Sequence, residues 1–373
     1  MNVLILAALV QVQATAVREV SLGKVDRIVS QDFTQIRGLR ELPDGRVLLS
    51  DRLDKGVVVV DFGTNSVRVI GRTGRGPAEY KLPTTLTALP GDSTLLSDEG
   101  NSRIAIIGPD LKIHRSLNVM LPGGSMAMGA RSIDTQGRFY LQIPAWMSNP
   151  QSPNANDTIP IVRFDAKARK VDTLLRLKGM SWLPPGPRYG FGWVVFAPQD
   201  VWTVTADGRI AVVRSGDYHV EWYEPSGRVV RGAPVRFERI PVTMEERLAY
   251  VREFLDNSMI SGRGEEGSMS PIPAEMKDEK RVREMATRNT FAEMKPAFTD
   301  GALIQGPDGT LWVERSIRLG ETPLWDVFDG SGKHIARVRL PAKRQLAGVG
   351  ARFLYVVASD DDGVQHLERY SRN

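Results

Sequence analysis

Four histidines, His114, His219, His334 and His366, are the first groups to weigh, because imidazole is both a common metal ligand and an acid–base group near neutral pH. Each stands alone. The chain has no HExxH pair and no GxSxG nucleophile turn. It has no cysteine, which excludes disulfides, thiol nucleophiles, thiolate-bound metals and a lipid-modified Cys anchor. Asp360-Asp361-Asp362-Gly363 is acidic, but its spacing fits no EF-hand loop and reads as a solvated turn. Gly71–Gly76 (GRTGRG) lacks the Lys-Ser/Thr of a phosphate-binding loop and reads as a turn element. No metal and no cofactor is therefore expected.

Two other sets of residues could recognise a ligand. Trp146, Trp182, Tyr189, Phe191 and Trp193 crowd two Pro- and Gly-rich stretches. Aromatic faces there can stack on sugars, peptides or flat ligands, or cover a surface by packing on one another. Arg52, Arg214 and Arg315 follow short apolar runs, beside Asp51, Asp98 and Glu314. A guanidinium can receive a carboxylate or phosphate, or form an ion pair. Asp51 and Asp98 read as turn caps.

The elements that position these groups repeat. Leu42–Tyr80 runs turn, apolar run, Ser-Asp, turn, apolar run, turn, apolar run, and Leu89–Ile113 follows the same order. Short β-rich runs separated by Gly, Asp and Asn are antiparallel strands joined by hairpins. A repeat of small antiparallel sheets over 373 residues, with 35 glycines and 23 prolines for the turns, predicts an all-β propeller. Six blades follow. Blade one covers 33–70 and blade two 86–119. Blade three carries a polar loop at 144–160, and blade four runs 201–237. Blade five resumes near Ala302, and a short blade six covers 348–370. The alternating Ala16–Leu22 is expected to supply the strand that blade six lacks, and so to close the ring.

Between blades four and five the period changes. Met244, Leu248, Val251 and Leu255 share one helical face, and Thr243 with Glu246 forms a capping box. A second, highly charged helix is expected within Pro273–Arg288, loosely held and mostly solvated. The whole insertion, 243–294, should lie as a flap on one face, with a mobile gap at Ser261–Ser270. Residues 1–16 end in Ala14-Thr15-Ala16 after an apolar stretch and read as a signal peptide, too short to span a membrane. Residues 17–373 then form one exported domain, periplasmic or extracellular. Net charge is +5 with dispersed Lys and Arg, so no nucleic-acid surface is expected.

Leu95–Ile113 (LLSDEGNSRIAIIGPDLKI) resembles the NHL-type repeat through Asp98, Asn101, Arg103 and Ile104. Asp98 is expected to pair with Arg103 across the turn, and Asn101 to take a left-handed conformation. Gly71–Tyr80 and the closing LYVVASDDDGVQHLERY are similar to segments of exported bacterial six-bladed propellers of that type. Lyases of the group hold a channel metal with histidines, which this chain does not match. The resemblance implies the fold but no single activity.

In such a fold the a–b and c–d turns share one face and the b–c and d–a connections the other. The long connections here (71–80, 144–160, 178–196 and 241–297) are all of the second kind. Binding is expected on that rim. The sequence thus reads as a non-enzymatic exported propeller that binds a small molecule, a glycan or a protein on its loop-rich face. The alternative is a gluconolactonase-like channel hydrolase or lactonase with a divalent metal on carboxylates.

Overall fold

The fold comes from a computed structural model, which describes residues 17–118, 120–121, 130–143, 158–181, 183, 192–261 and 269–372. Strands β1 (Glu19–Ser21) and β2 (Val25–Phe33) precede the first blade. Blade one is β3 (Ile36–Glu41), β4 (Val47–Asp51), β5 (Gly56–Asp61) and β6 (Ser66–Val69). Blade two is β7 (Pro83–Ala88), β8 (Thr94–Asp98), β9 (Arg103–Ile107) and β10 (Ile113–Leu117). Blade three is β11 (Ser132–Ile133), β12 (Phe139–Gln142), β13 (Thr158–Asp165) and β14 (Lys170–Lys178). Blade four is β15 (Val201–Val204), β16 (Ile210–Arg214), β17 (His219–Tyr223) and β18 (Val229–Arg231).

The insertion follows. It contains β19 (Ile240–Pro241), helix α1 (Met244–Asn257), the hairpin β20 (Met259–Ser261) and β21 (Met269–Pro271), helix α2 (Glu279–Arg288), and β22 (Met294–Lys295), which pairs with β19. Blade five is β23 (Phe298–Gln305), β24 (Leu311–Arg315), β25 (Leu324–Phe328) and β26 (His334–Arg339). Blade six is β27 (Arg344–Val349), β28 (Phe353–Ser359) and β29 (Gln365–Ser371), completed by β2. The protein is a six-bladed β-propeller with a helical insertion between blades four and five.

Side chains on a strand alternate between its two faces, and in a ring each face meets a different neighbour. This explains why the strand runs are apolar throughout. Val47, Leu49, Val58 and Val60 of blade one pack with Leu367 and Tyr355 of blade six. Leu48, Val57 and Val59 pack with Leu96, Ala105 and Ile107 of blade two. The same division gives one core cluster at each of the six blade junctions. The a–b turns repeat as well. Gly45, Gly91, Gly137, Gly208 and Gly309 all take φ between 69° and 85°, where a side chain would be strained.

The ring is closed by an N-terminal strand, but not by Ala16–Leu22. The closing strand is β2, antiparallel to β29, with Val29 and Phe33 buried against blade six. β1 instead adds in parallel to the outer edge of β26, with all three residues exposed. Its cleaner alternation is that of an edge ribbon. The longer β2 carries register shifts that disguise its pattern.

Thr243 caps α1 by accepting from the Glu246 N–H at 3.3 Å. Glu246 does not complete the capping box; it pairs with Lys295 at 2.5 Å and accepts from the Leu319 N–H at 2.9 Å. Leu248, Val251 and Leu255 are buried, whereas Met244, the first residue of the helix, is exposed. α2 is not loosely held. Val282 and Ala286 are fully buried against α1, and Arg252 forms a two-pronged pair with Glu279, both contacts at 2.9 Å. The expected mobile gap falls largely on 262–268, outside the described residues.

Candidate functional site

The innermost strands β3, β7, β15, β23 and β27, with Ala130–Arg131 just before β11, surround a central channel of about 1510 Å³. The a–b turns frame one end, where Glu41 is already engaged by the Tyr355 hydroxyl at 2.8 Å and the Ala351 N–H at 2.6 Å. The other end opens on the loop-rich face.

Helix α1 crosses that face. Its first turn is fastened on the blade-five side through Glu246. Its last residue, Asn257, is fastened to blade one. Asn257 Oδ1 accepts from Arg37 Nη2 at 2.9 Å and from Gln35 Nε2 at 3.3 Å, and its carbonyl accepts from Arg52 Nη1 at 3.3 Å. Two guanidinium groups at the negative end of a helix are a favourable arrangement. Arg52 also reaches Glu99 of blade two at 3.4 Å. Arg37 lines the channel. Burial and the like charge of Arg52 push it below the usual arginine range.

On blade five, near the end of β24, Glu314 also lines the channel. Its carboxylate makes no hydrogen bond or ion pair with a described residue. Burial, with the negative charge of Glu253 on α1, pushes it up to about 7. The repeat shows how unusual this is. At the same position of strand b blades one to four carry Ser50, Ser97, Gln142 and Val213.

Of the residues singled out from sequence, Arg52 sits at this mouth. Arg214 and Arg315 are built into their blades. Arg214 reaches Glu221 at 2.6 Å, Asp200 at 2.9 Å, the Tyr223 hydroxyl at 2.6 Å and the Arg176 carbonyl at 3.2 Å. Arg315 reaches Asp326 at 2.8 Å and the Ala297 carbonyl at 3.1 Å, and lies over the Tyr218 ring. Trp193 packs on Phe254 of α1, ring centres 6.5 Å apart, within the apolar core of the insertion. Trp146, Trp182, Tyr189 and Phe191 lie outside the described residues.

Asp51 and Asp98 are caps. Asp51 accepts from the N–H groups of Thr34 and Gln35, and Asp98 from those of Lys81 and Leu82. Asp98 also pairs with Arg103 at 3.3 Å. Asn101 is not the left-handed residue; Ser102 is, at φ 52°, while the Asn101 amide donates to Asp98 and to the Gly74 carbonyl. Arg37, Glu253 and Asn257 were not singled out from sequence.

Among the described residues no three His, Asp or Glu side chains converge on a metal-sized site. Glu99 is held by Arg52, and Glu314 lies on a different blade. The described carboxylates alone therefore do not assemble a metal centre at the mouth. Among the same residues no helix is long and apolar enough to cross a membrane.

No protein-family model matches the chain, and no curated protein does. Solved structures of similar fold exist. A protein of Bacteroides fragilis described as exported is 11% identical, with 94% of each chain covered and a TM-score of 0.45. A gluconolactonase of Xanthomonas campestris is 9% identical, over 94% of this chain and 98% of the other, with a TM-score of 0.42. The calcium-binding protein regucalcin of Agrobacterium tumefaciens is 13% identical, over 95% and 97%, with a TM-score of 0.40.

Proposed function

We propose that the protein binds a small anionic ligand at the loop-rich mouth of its channel, beneath α1. The observation that carries this reading is the pair Arg37–Arg52, set side by side at the mouth and tied to the helix that roofs it. A carboxylate or phosphate group bound there gains from two guanidiniums in a partly desolvated site. Glu99 and Asn257 hold the arginines in place without filling the channel. A thermal-shift screen of small carboxylates and phosphates tests the idea. Millimolar ligand should raise the melting temperature by about 3 °C or more, and Arg37→Met should remove most of that shift. A screen without any shift, or shifts that survive Arg37→Met, would sink it.

A second reading is supported by Glu314. A carboxyl poised near neutrality and lining the channel suits a general base for hydrolysis of a lactone or ester. A pH-stat assay on simple lactones, with and without added calcium or zinc, tests it. Turnover should fall about 100-fold in Glu314→Gln. Turnover indifferent to that change would remove the reading.

A further inference from the structure

The mouth of the channel carries cations on blade one and carboxylates on blade five and on α1. Arg37 and Arg52 stand on blade one. Glu314 stands on blade five, with Glu253 of α1 close enough to act electrostatically on both Glu314 and Arg37. Glu99 of blade two is held by Arg52, and the nearest cation in sequence, Arg315, is turned away onto Asp326. Glu314 and Glu253 therefore form a pair of like charges at the mouth, neither with a hydrogen bond or ion pair to a described residue.

We propose that this mouth takes a dipolar ligand, a carboxylate that also bears an amine, with the carboxylate against Arg37 and Arg52 and the ammonium against Glu314. This rests on the binding reading above and narrows it. A hydroxyl could donate to Glu314 but would not relieve its repulsion with Glu253; an ammonium does both. A divalent cation would want ligands beyond Glu314 and Glu253; Glu99 is already bound by Arg52, and no third carboxylate joins the two among the described residues. A bound ammonium favours ionised Glu314, whose free carboxyl titrates at about 7. Binding near pH 6 should therefore release a proton, and affinity should rise with pH up to about 8.

The experiment is calorimetry with amino acids and glycine peptides, each compared with its des-amino acid. At pH 8 the amino-bearing member should bind about tenfold tighter or better. At pH 6 that ratio should shrink. In Glu314→Gln it should fall to about one at both pH values, with folding checked by circular dichroism. Glu253→Gln removes the like charge and should move the midpoint of the pH dependence below that of the wild type, which a purely structural role would not do. A ratio near one in the wild type, or one that persists in Glu314→Gln, overturns the inference while leaving the anion reading standing. No binding by either member of the pairs overturns both.

Discussion

Replacing Asp326 with asparagine should destabilise the protein by about 3–5 kcal/mol, the usual cost of stripping one partner from a buried ion pair. Asp326 has no exposed surface and sits mid-strand in β25. Its Oδ2 accepts from Arg315 Nη1 at 2.8 Å and from the Tyr218 hydroxyl at 2.7 Å, and its Oδ1 accepts from Arg337 Nε at 2.8 Å. His334 Nε2 lies 3.0 Å from the same Oδ1. One carboxylate thus joins three strands of blade five to Tyr218 of blade four. Asparagine keeps the shape and one acceptor. It leaves two guanidiniums without a counter-charge, and Arg315 is nearly buried.

The pH dependence gives an independent check. Burial alone would push the Asp326 carboxyl up; the contacts with His334 and Arg315 outweigh it and hold the group far below the usual carboxylate range. A depressed carboxylate contributes stability that is complete above its unfolded value, about 4, and is lost as pH falls towards the folded one. Urea melts of wild type and Asp326→Asn should differ by the full amount at pH 6–8 and begin to converge only below about pH 4. A difference under about 1 kcal/mol at pH 7 would show that the network is loose.

Blade four repeats the device. Glu221 stands mid-strand in β17 and holds Arg214 at 2.6 Å and Arg231 at 2.8 Å. Burial opposes its ionisation, but Arg214, Tyr223 and Arg231 outweigh that and bring it down to about 2. Here the sequence was partly legible. In blades one and two an Asp ends strand b and collects backbone N–H groups. In blades four and five the same place holds Arg, which donates to a carbonyl and to an acid on strand c. Read one blade at a time, Arg214 and Arg315 look free to meet a ligand. Aligned across blades, the reversal of charge announces a reversed partner.

The blades were legible because their signals are local. A Gly at each a–b turn and an unbroken apolar run need no distant partner to be understood. The mouth was not. Arg37, Arg52, Glu99, Glu314 and Asn257 come together only because the ring brings blades one, two and five to one opening and α1 spans it. Nothing in the spacing of Asn257 and Arg37, 220 residues apart, encodes that meeting. Glu314 was visible as a rim charge, but its lack of a partner could be seen only with the blades in place.

Ring closure supplies the other large effect. A chain beginning at Lys24 should keep its fold, with the melting temperature within about 3 °C of the full chain. It loses β1, whose three residues are exposed, and the Glu19–Arg339 pair, and an exposed pair of that kind is worth little. A chain beginning at Gln35 should lose its cooperative melt or fail to stay soluble. It loses β2, and with it Val29 and Phe33, each buried to within 3%. Burial of such side chains stabilises by about 1.5–3 kcal/mol apiece, and the ladder to β29 and the Asp26–Arg369 pair go with them. The bare edge of β29 would then offer unpaired N–H and C=O groups to other chains. Size-exclusion chromatography and calorimetry on the two chains decide the matter. A sharp loss of stability already at Lys24 would return the closing role to residues 17–22. A well-behaved monomer from Gln35 would mean that blade six holds with three strands, and that β2 is a cover rather than a clasp.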